Sequence, residues 1–465
     1  MNISAFDLLI IVVYCLTFIL VGIYINKKKV KTAADFNTAG QSMGLWTIVG
    51  TTTASCMGAT IVFGNYEIVH RGGMSGLASS FAFYIGWWGF VLLCGHLRRS
   101  NATTLPGFLE EKYDLQTRRS SSIFVGMNAI ANTAAQFLAF GTMCAALNLC
   151  DTTKGTVIGA VIILLFTVFS GLWGVAITDA IQSIGLLIAC LIVIPVAVFR
   201  QAGGIGTVFA QTPPEMLNPL KGLPLLTLAG YFLSNFLIVI AHPSYSQRVF
   251  AAKDEKTAVR GQIISCILCS VVVVIAVLPA FAIRIIYPDM AVGSEFVPRF
   301  IADYMPIGIT GILLALILGL LLTTGDTYLL LLSSTIVEDL IKPSKKDVDD
   351  VEMLKLSRIL TVVLTAIVLV MALYVKSIYE LFIIGSSAYG AAMAFPVLFG
   401  CLSKDVSAKY TNIAILAGGG ISFLWDMTLK ASTGVRGVFI GATINLIFCI
   451  IGVYAARAEK AKNAK

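Results

Sequence analysis

Apolar residues along the chain gather into long runs near 6–26, 44–69, 75–97, 121–149, 155–171, 173–199, 223–247, 261–285, 307–337, 357–375, 379–401, 409–429 and 434–456. The hydrocarbon core of a bilayer takes ~20 residues of helix, so each run is long enough, or nearly so, to cross it. The polar segments between them are short. The longest, about 98–120 and 200–222, fall well below the ~50 residues that an independent soluble domain needs. The pattern therefore predicts an all-α polytopic membrane protein with thirteen transmembrane helices and no appended soluble domain.

Composition agrees and excludes the alternatives. Of 465 residues 57% are hydrophobic and only 12% charged, with a mean hydropathy of +0.88, too apolar for a disordered chain, a coiled coil or an ordinary soluble enzyme. The net charge of +8 is read through topology. The first run is followed by Lys27, Lys28, Lys29 and Lys31, the reverse of a signal peptide, which places the amino terminus outside and the carboxyl terminus in the cytoplasm. With that orientation 24 of the 33 Lys and Arg residues, Arg248 among them, fall on the inner side. The positive charge is then a topogenic signal of an inner-membrane protein in contact with anionic lipid, and it gives no reason to expect nucleic acid. Nine of the ten cysteines lie inside apolar runs and read as small core residues, with no metal-ligand spacing among them.

Two runs carry sequences at which a helix should break. Gly50–Gly64 is a stretch of small and hydroxyl residues in mid-span, and Ala241-His242-Pro243 follows Asn235 in the seventh span. Proline removes a backbone donor, and an unwound segment frees carbonyl oxygens at membrane depth. Interrupted helices in corresponding positions, five spans apart, suggest a five-plus-five inverted repeat.

The segment Ser170-Gly-Leu-Trp-Gly-Val-Ala-Ile-Thr-Asp179-Ala-Ile-Gln182 resembles the glycine-rich turn and helix start of the sodium/solute symporter family, whose members include bacterial proline, pantothenate, galactose and sialic acid carriers. Tyr245-Ser-Gln-Arg248-Val-Phe-Ala-Ala-Lys253 and Thr323-Thr-Gly-Asp326, running on to Ser333-Ser334 and Glu338-Asp339, carry the same resemblance. It implies the leucine-transporter fold: a leading helix and loop (1–43), a first repeat (44–200), a second repeat (201–402) and two peripheral helices with a short tail (403–465). It also implies a sodium site built from the carbonyls of Ala54, Met57 and Leu320 and the hydroxyls of Thr323 and Thr324. Without the surrounding motif, the two threonines are better read as bonding back to carbonyls one turn earlier; the motif reverses that preference.

Asp179 and Asp326 lie within spans, where a carboxylate costs on the order of 3 kcal/mol on insertion scales and usually serves function. By resemblance, Asp179, Asp326 and Thr327 align with a second cation site, although Asp326 stands where a Ser is usual. The two carboxylates would alternatively share a proton, since close like charges raise one pKa, or Asp326 would pair with a cation of the inner pathway.

In the implied fold the solute lies beside the two breaks. The polar candidates are Ser55, Thr60 and Asn65 on the second span, Asn128, Asn132 and Gln136 on the fourth, Asn235 and His242 on the seventh, and Ser386, Ser387 and Tyr389 on the eleventh. Asn128, Asn132 and Gln136 form one helical stripe, which also suits helix-to-helix packing. His242 reads as a hydrogen-bonded packing histidine ahead of a substrate or proton ligand, and Glu380 and Asp426 are assigned to the membrane interface. The expectation is sodium-coupled import of a small polar organic solute by alternating access, with no cofactor beyond the coupling ion. A proton-coupled symporter is the nearest rival, and a transporter-like solute sensor a weaker one. With three histidines and no Ser/His/Asp set or phosphate loop, an enzyme is not expected. Gly418-Gly-Gly420 can pack within or between subunits, leaving a monomer as the working expectation.

Overall fold

The computed structural model describes residues 3–29, 41–100, 102–344, 350–375, 377–403 and 405–463. Its principal helices are α1 (Ala5–Lys29), α2 (Leu45–Cys56), α3 (Asn65–Arg99), α4 (Leu115–Ala146), α5 (Thr152–Ile188), α6 (Leu225–Ile240), α7 (Pro243–Ala251), α8 (Glu255–Val277), α9 (Ile309–Ser334), α10 (Asp350–Tyr374), α11 (Ile378–Leu402), α12 (Ala408–Thr428) and α13 (Gly437–Asn463). Among the described residues the architecture is all helical, with one isolated β-bridge between Met43 and Ala252. Nine helical stretches there are long and apolar enough to cross a membrane, and Ala5–Thr17 and Thr152–Val168 are shorter apolar helices. Their outer faces carry Leu92, Trp46 and Ile181 largely exposed, which suits a lipid solvent. Lys31, Lys345, Lys346, Lys404 and Lys465, and the side chains of Lys27 to Lys29, belong to the predicted inner cluster and lie outside the described residues.

The helix starts follow local chemistry. Asp114, Asp254 and Ser377 each accept a hydrogen bond from a backbone N–H three residues on, at 2.8, 2.7 and 3.1 Å, satisfying donors that a helix start leaves orphaned. α3 contains a turn at Gly73, where φ is +54°. That conformation is open to glycine and strained for other residues, and the Met216 carbonyl lies so close that a Cβ would sit 2.2 Å from it. α5 continues through a π-helical stretch, Ala189–Val193, to Gln201. At 1.5 Å per residue this is about 75 Å of helix, too long for one straight crossing of a ~30 Å core. The side chains of 169–175, where the sequence places its glycine-rich turn, lie outside the described residues.

α1 is fastened to the core by a carboxylate. Asp7 Oδ1 accepts from the N–H groups of Gly308 and Gly311 at 2.7 and 2.9 Å, capping α9 from another helix. α2 crosses α5 where Gly50 meets Ala180: a Cβ on Gly50 would lie 2.7 Å from the Ala180 Cα. Small residues allow the close backbone approach on which membrane helix packing depends.

Both expected breaks are present. α2 ends at Cys56, the chain leaves helical geometry at Met57 and Gly58, and a π-helical stretch, Thr60–Gly64, leads into α3. α6 ends at Ile240, and α7 restarts with Pro243 at its first position, where a missing N–H costs nothing. The far ends of the two broken segments are joined through the backbone, Met43 N to Ala251 O and Lys253 N to Met43 O, both at 3.0 Å.

Candidate functional site

The two breaks lie side by side and share a cavity of about 50 Å³. Since one water needs ~10–15 Å³, this space suits a small solute. Of the residues expected from sequence, Ser55, Thr60, Asn65, Asn132, Gln136, Asn235 and His242 line it. Several are already committed: Gln136 Oε1 accepts from the Ala59 N–H at 3.2 Å, bridging the first break, and Asn65 accepts from the Ser80 hydroxyl at 2.9 Å. Asn235 donates to Ser79 O at 3.0 Å.

Four expected residues lie outside the cavity. Ser386 donates to Phe382 O at 2.7 Å, Ser387 and Ser234 share a hydrogen bond at 2.8 Å, and Tyr389 donates to Ala241 O at 2.5 Å. Asn128 is buried against Gly385, with neither amide atom hydrogen-bonded. Sequence reasoning missed the aromatic part of the wall: Phe83, Tyr84, Tyr245, Tyr328 and Phe382. Tyr245 is sandwiched between Trp87 and His242, with ring centroids 4.4 and 4.0 Å away. His242 is a packed residue that also caps α7, accepting from Tyr245 N at 3.4 Å. Among the described residues no Asp, Glu, Lys or Arg lines the cavity.

The five expected sodium ligands, Ala54, Met57, Leu320, Thr323 and Thr324, are all buried, none more than 2% exposed. Thr323 donates to Leu320 O at a long 3.4 Å, the back-bonding expected of a membrane threonine. Thr324 differs. Its hydroxyl is buried without a hydrogen-bond partner, lines the cavity and faces the first break, where a Cβ on Gly58 would sit 3.1 Å from its oxygen. A buried hydroxyl left unmatched is costly, and a hard cation beside it would supply the match. The donor set, hydroxyls plus carbonyls near a broken helix, fits sodium.

Behind this wall lies the main correction to the sequence reading. Arg248, counted there with the inner-loop cations, is fully buried. Its Nε donates to Thr51 Oγ1 at 3.1 Å, Nη1 to Ser244 O and Oγ at 3.0 and 2.6 Å, and Nη2 to Ser55 Oγ and, at 3.5 Å, to Thr327 Oγ1. Nη2 also stands 3.6 Å from Asp179 Oδ2, which accepts from Thr51 at 2.8 Å. Asp326, one residue before Thr327, is fully buried. The planar guanidinium spreads five donors over these oxygens.

Glu380 and Asp426, at the ends of α11 and α12, are held in a cluster of paired charges that the sequence did not show. Glu380 holds the buried Arg436 at 2.8 and 3.0 Å, Lys430 at 2.9 Å and the Tyr231 hydroxyl at 2.8 Å. Asp426 accepts from Gly437 N at 2.7 Å.

Residues 36–418 match the family model described as the sodium:solute symporter family. The chain belongs to this family. Similar proteins include the osmoregulated proline transporter OpuE of Bacillus subtilis, 24% identical over 94% of this chain and 92% of the relative. The high-affinity proline transporter PutP of the same organism is 25% identical over 88% and 89%, and the sodium/proline symporter of Staphylococcus aureus is 23% identical over 93% and 88%. A substrate-bound, outward-open structure of a Na+-coupled sialic acid symporter superposes with a TM-score of 0.79 over 98% of both chains at 19% identity, which establishes the shared fold. As a sodium:solute symporter, the chain is a membrane transporter and not an enzyme.

Proposed function

We propose that the chain imports a small polar organic solute of no net charge, driven by sodium, through alternating access. The observation that carries this reading is the Thr324 hydroxyl, buried, unpartnered and shared between the solute cavity and the first helix break. A cation taken up there by Ala54, Met57, Leu320, Thr323 and Thr324 would touch the space that the solute fills, so that each favours the other's binding. The absence of charged side chains from the described wall supports a neutral or zwitterionic solute. Relatives named as proline transporters support one of amino-acid size.

The architecture that goes with this function is thirteen spans built on a five-plus-five inverted repeat. Dividing Leu45–Arg99 at Gly73, and adding the two shorter apolar helices and α12, takes the nine long stretches to thirteen. The amino terminus would then be outside the plasma membrane. The proton-coupled reading is the weaker, because Asp179 is held by Arg248 and Thr51.

The test is thermal unfolding of the purified carrier in sodium, potassium or choline at equal ionic strength. A ligand of the native state stabilises by RT ln(1 + [L]/Kd), about 2.7 kcal/mol at 100 times Kd. Saturable stabilisation by sodium alone is expected, and equal curves in the three salts would overturn the reading.

A further inference from the structure

We infer that Arg248 is a tethered cation occupying the place of a second coupling ion, so that the carrier binds a single sodium. This rests on the sodium reading above and concerns its stoichiometry. The family resemblance implies that a second cation would be held by oxygens of Asp179, Asp326 and Thr327, and the Arg248 guanidinium engages two of those three residues: it is ion-paired to Asp179 Oδ2 at 3.6 Å and donates to Thr327 Oγ1 at 3.5 Å. Its remaining contacts, with Thr51, Ser55 and Ser244, fix it from α2 and α7. Arg248 and Asp179 are each no more than 1% exposed, so little water screens one positive charge from another at this point.

A sodium ion entering between Asp179 and Thr327 would have to displace the guanidinium. Arg248 would then be a permanent charge buried without its carboxylate, an arrangement that proteins avoid. The Thr324 hydroxyl of the first site does not meet this obstacle, whereas its neighbour Thr323 reaches the same Asp179 carboxylate. Thr324 lies on the cavity side of α9 and receives nothing from Arg248 among its hydrogen bonds. The tethered cation also differs from sodium in what it does to transport. Fixed to the chain, it neutralises Asp179 without crossing the membrane, and so contributes nothing to the charge moved per solute.

The decisive measurement is equilibrium binding of 22Na+ to purified full-length carrier, with sodium alone as the ligand. Wild type should bind one sodium per chain with a Hill coefficient near one. Arg248→Gln exposes the Asp179 carboxylate and should bind two, whereas Arg248→Lys should remain at one. If Arg248→Gln does not fold, Thr327→Ala decides: it removes an acceptor of Arg248 and should leave wild-type stoichiometry and affinity within about twofold. Two sodium ions on wild type, or a loss of one ion in Thr327→Ala, would overturn the inference while leaving sodium coupling intact. No sodium bound to wild type would remove the sodium reading, and this one with it.

Discussion

The Tyr389 hydroxyl donates to the Ala241 carbonyl at 2.5 Å, pinning α11 to the point where α6 lets go of its own hydrogen-bond ladder. The carbonyl is fully buried, and α7 beyond it begins with a proline that has no N–H to offer. Tyr389→Phe leaves the acceptor unmatched at nearly constant volume. A loss of about 1–3 kcal/mol is expected, read as a lower midpoint of thermal unfolding in sodium-free buffer. An unchanged midpoint would mean that another donor takes over.

Gly58 is the close-approach position of the first break. A Cβ there would stand 2.8 Å from the Thr324 methyl carbon, closer than side-chain atoms tolerate, and it would turn or shift the hydroxyl proposed to bind sodium. Gly58→Ala should raise the sodium concentration for half-maximal stabilisation on the order of tenfold, equivalent to about 1.4 kcal/mol. A titration of thermal stability against sodium reports this directly. Unchanged sodium dependence would move the ion away from Thr324.

Residues inside and outside the cavity should separate by kinetics. Asn132 lines the cavity, whereas the Ser387 hydroxyl is spent on Ser234. Asn132→Ala is expected to raise the half-saturating solute concentration of uptake at fixed sodium at least several-fold, with Ser387→Ala within about twofold of wild type. Equal shifts in both would indicate a general packing defect instead of a solute contact.

Glu380 balances two cations, one of them Arg436 with only 2% of its side chain exposed. Glu380→Gln keeps the shape and removes the charge. Among the described residues, Arg436 would keep only the Asp426 carboxylate, 4.0 Å from its Nη1, as an opposite charge. Breaking a buried pair from one side costs ~3 kcal/mol or more, expected as a large fall in thermal stability with sodium dependence retained, since the cluster shares no residue with the ion site.

The apolar helices and both breaks were legible because each depends on local composition: apolar length, small residues, a proline. What the sequence hid depends on pairing across distance. Arg248 follows an apolar span and, by position alone, resembles any cation at a helix end. Only the fold shows Thr51, Ser55, Asp179 and Thr327 converging on it. The same holds for Glu380 and Asp426, whose partners Lys430 and Arg436 come from the turn between α12 and α13 and from its far end. Ser386, Ser387 and Tyr389 erred the other way: polar residues on the expected helix, already satisfied by backbone or a neighbouring hydroxyl. The aromatic wall was overlooked because rings in a membrane helix look like ordinary packing until a cavity is seen beside them.

The paired hydrogen bonds that join Met43 to Ala251 and Lys253 tie the start of α2 to the end of α7 through peptide groups alone. Side-chain replacement at these positions leaves this tie intact, and proline at Met43 or Lys253, which deletes a donor, is the substitution that breaks it. Retention of this linkage is therefore a matter of chain path: any residue but proline at positions 43 and 253 keeps the donors that make it.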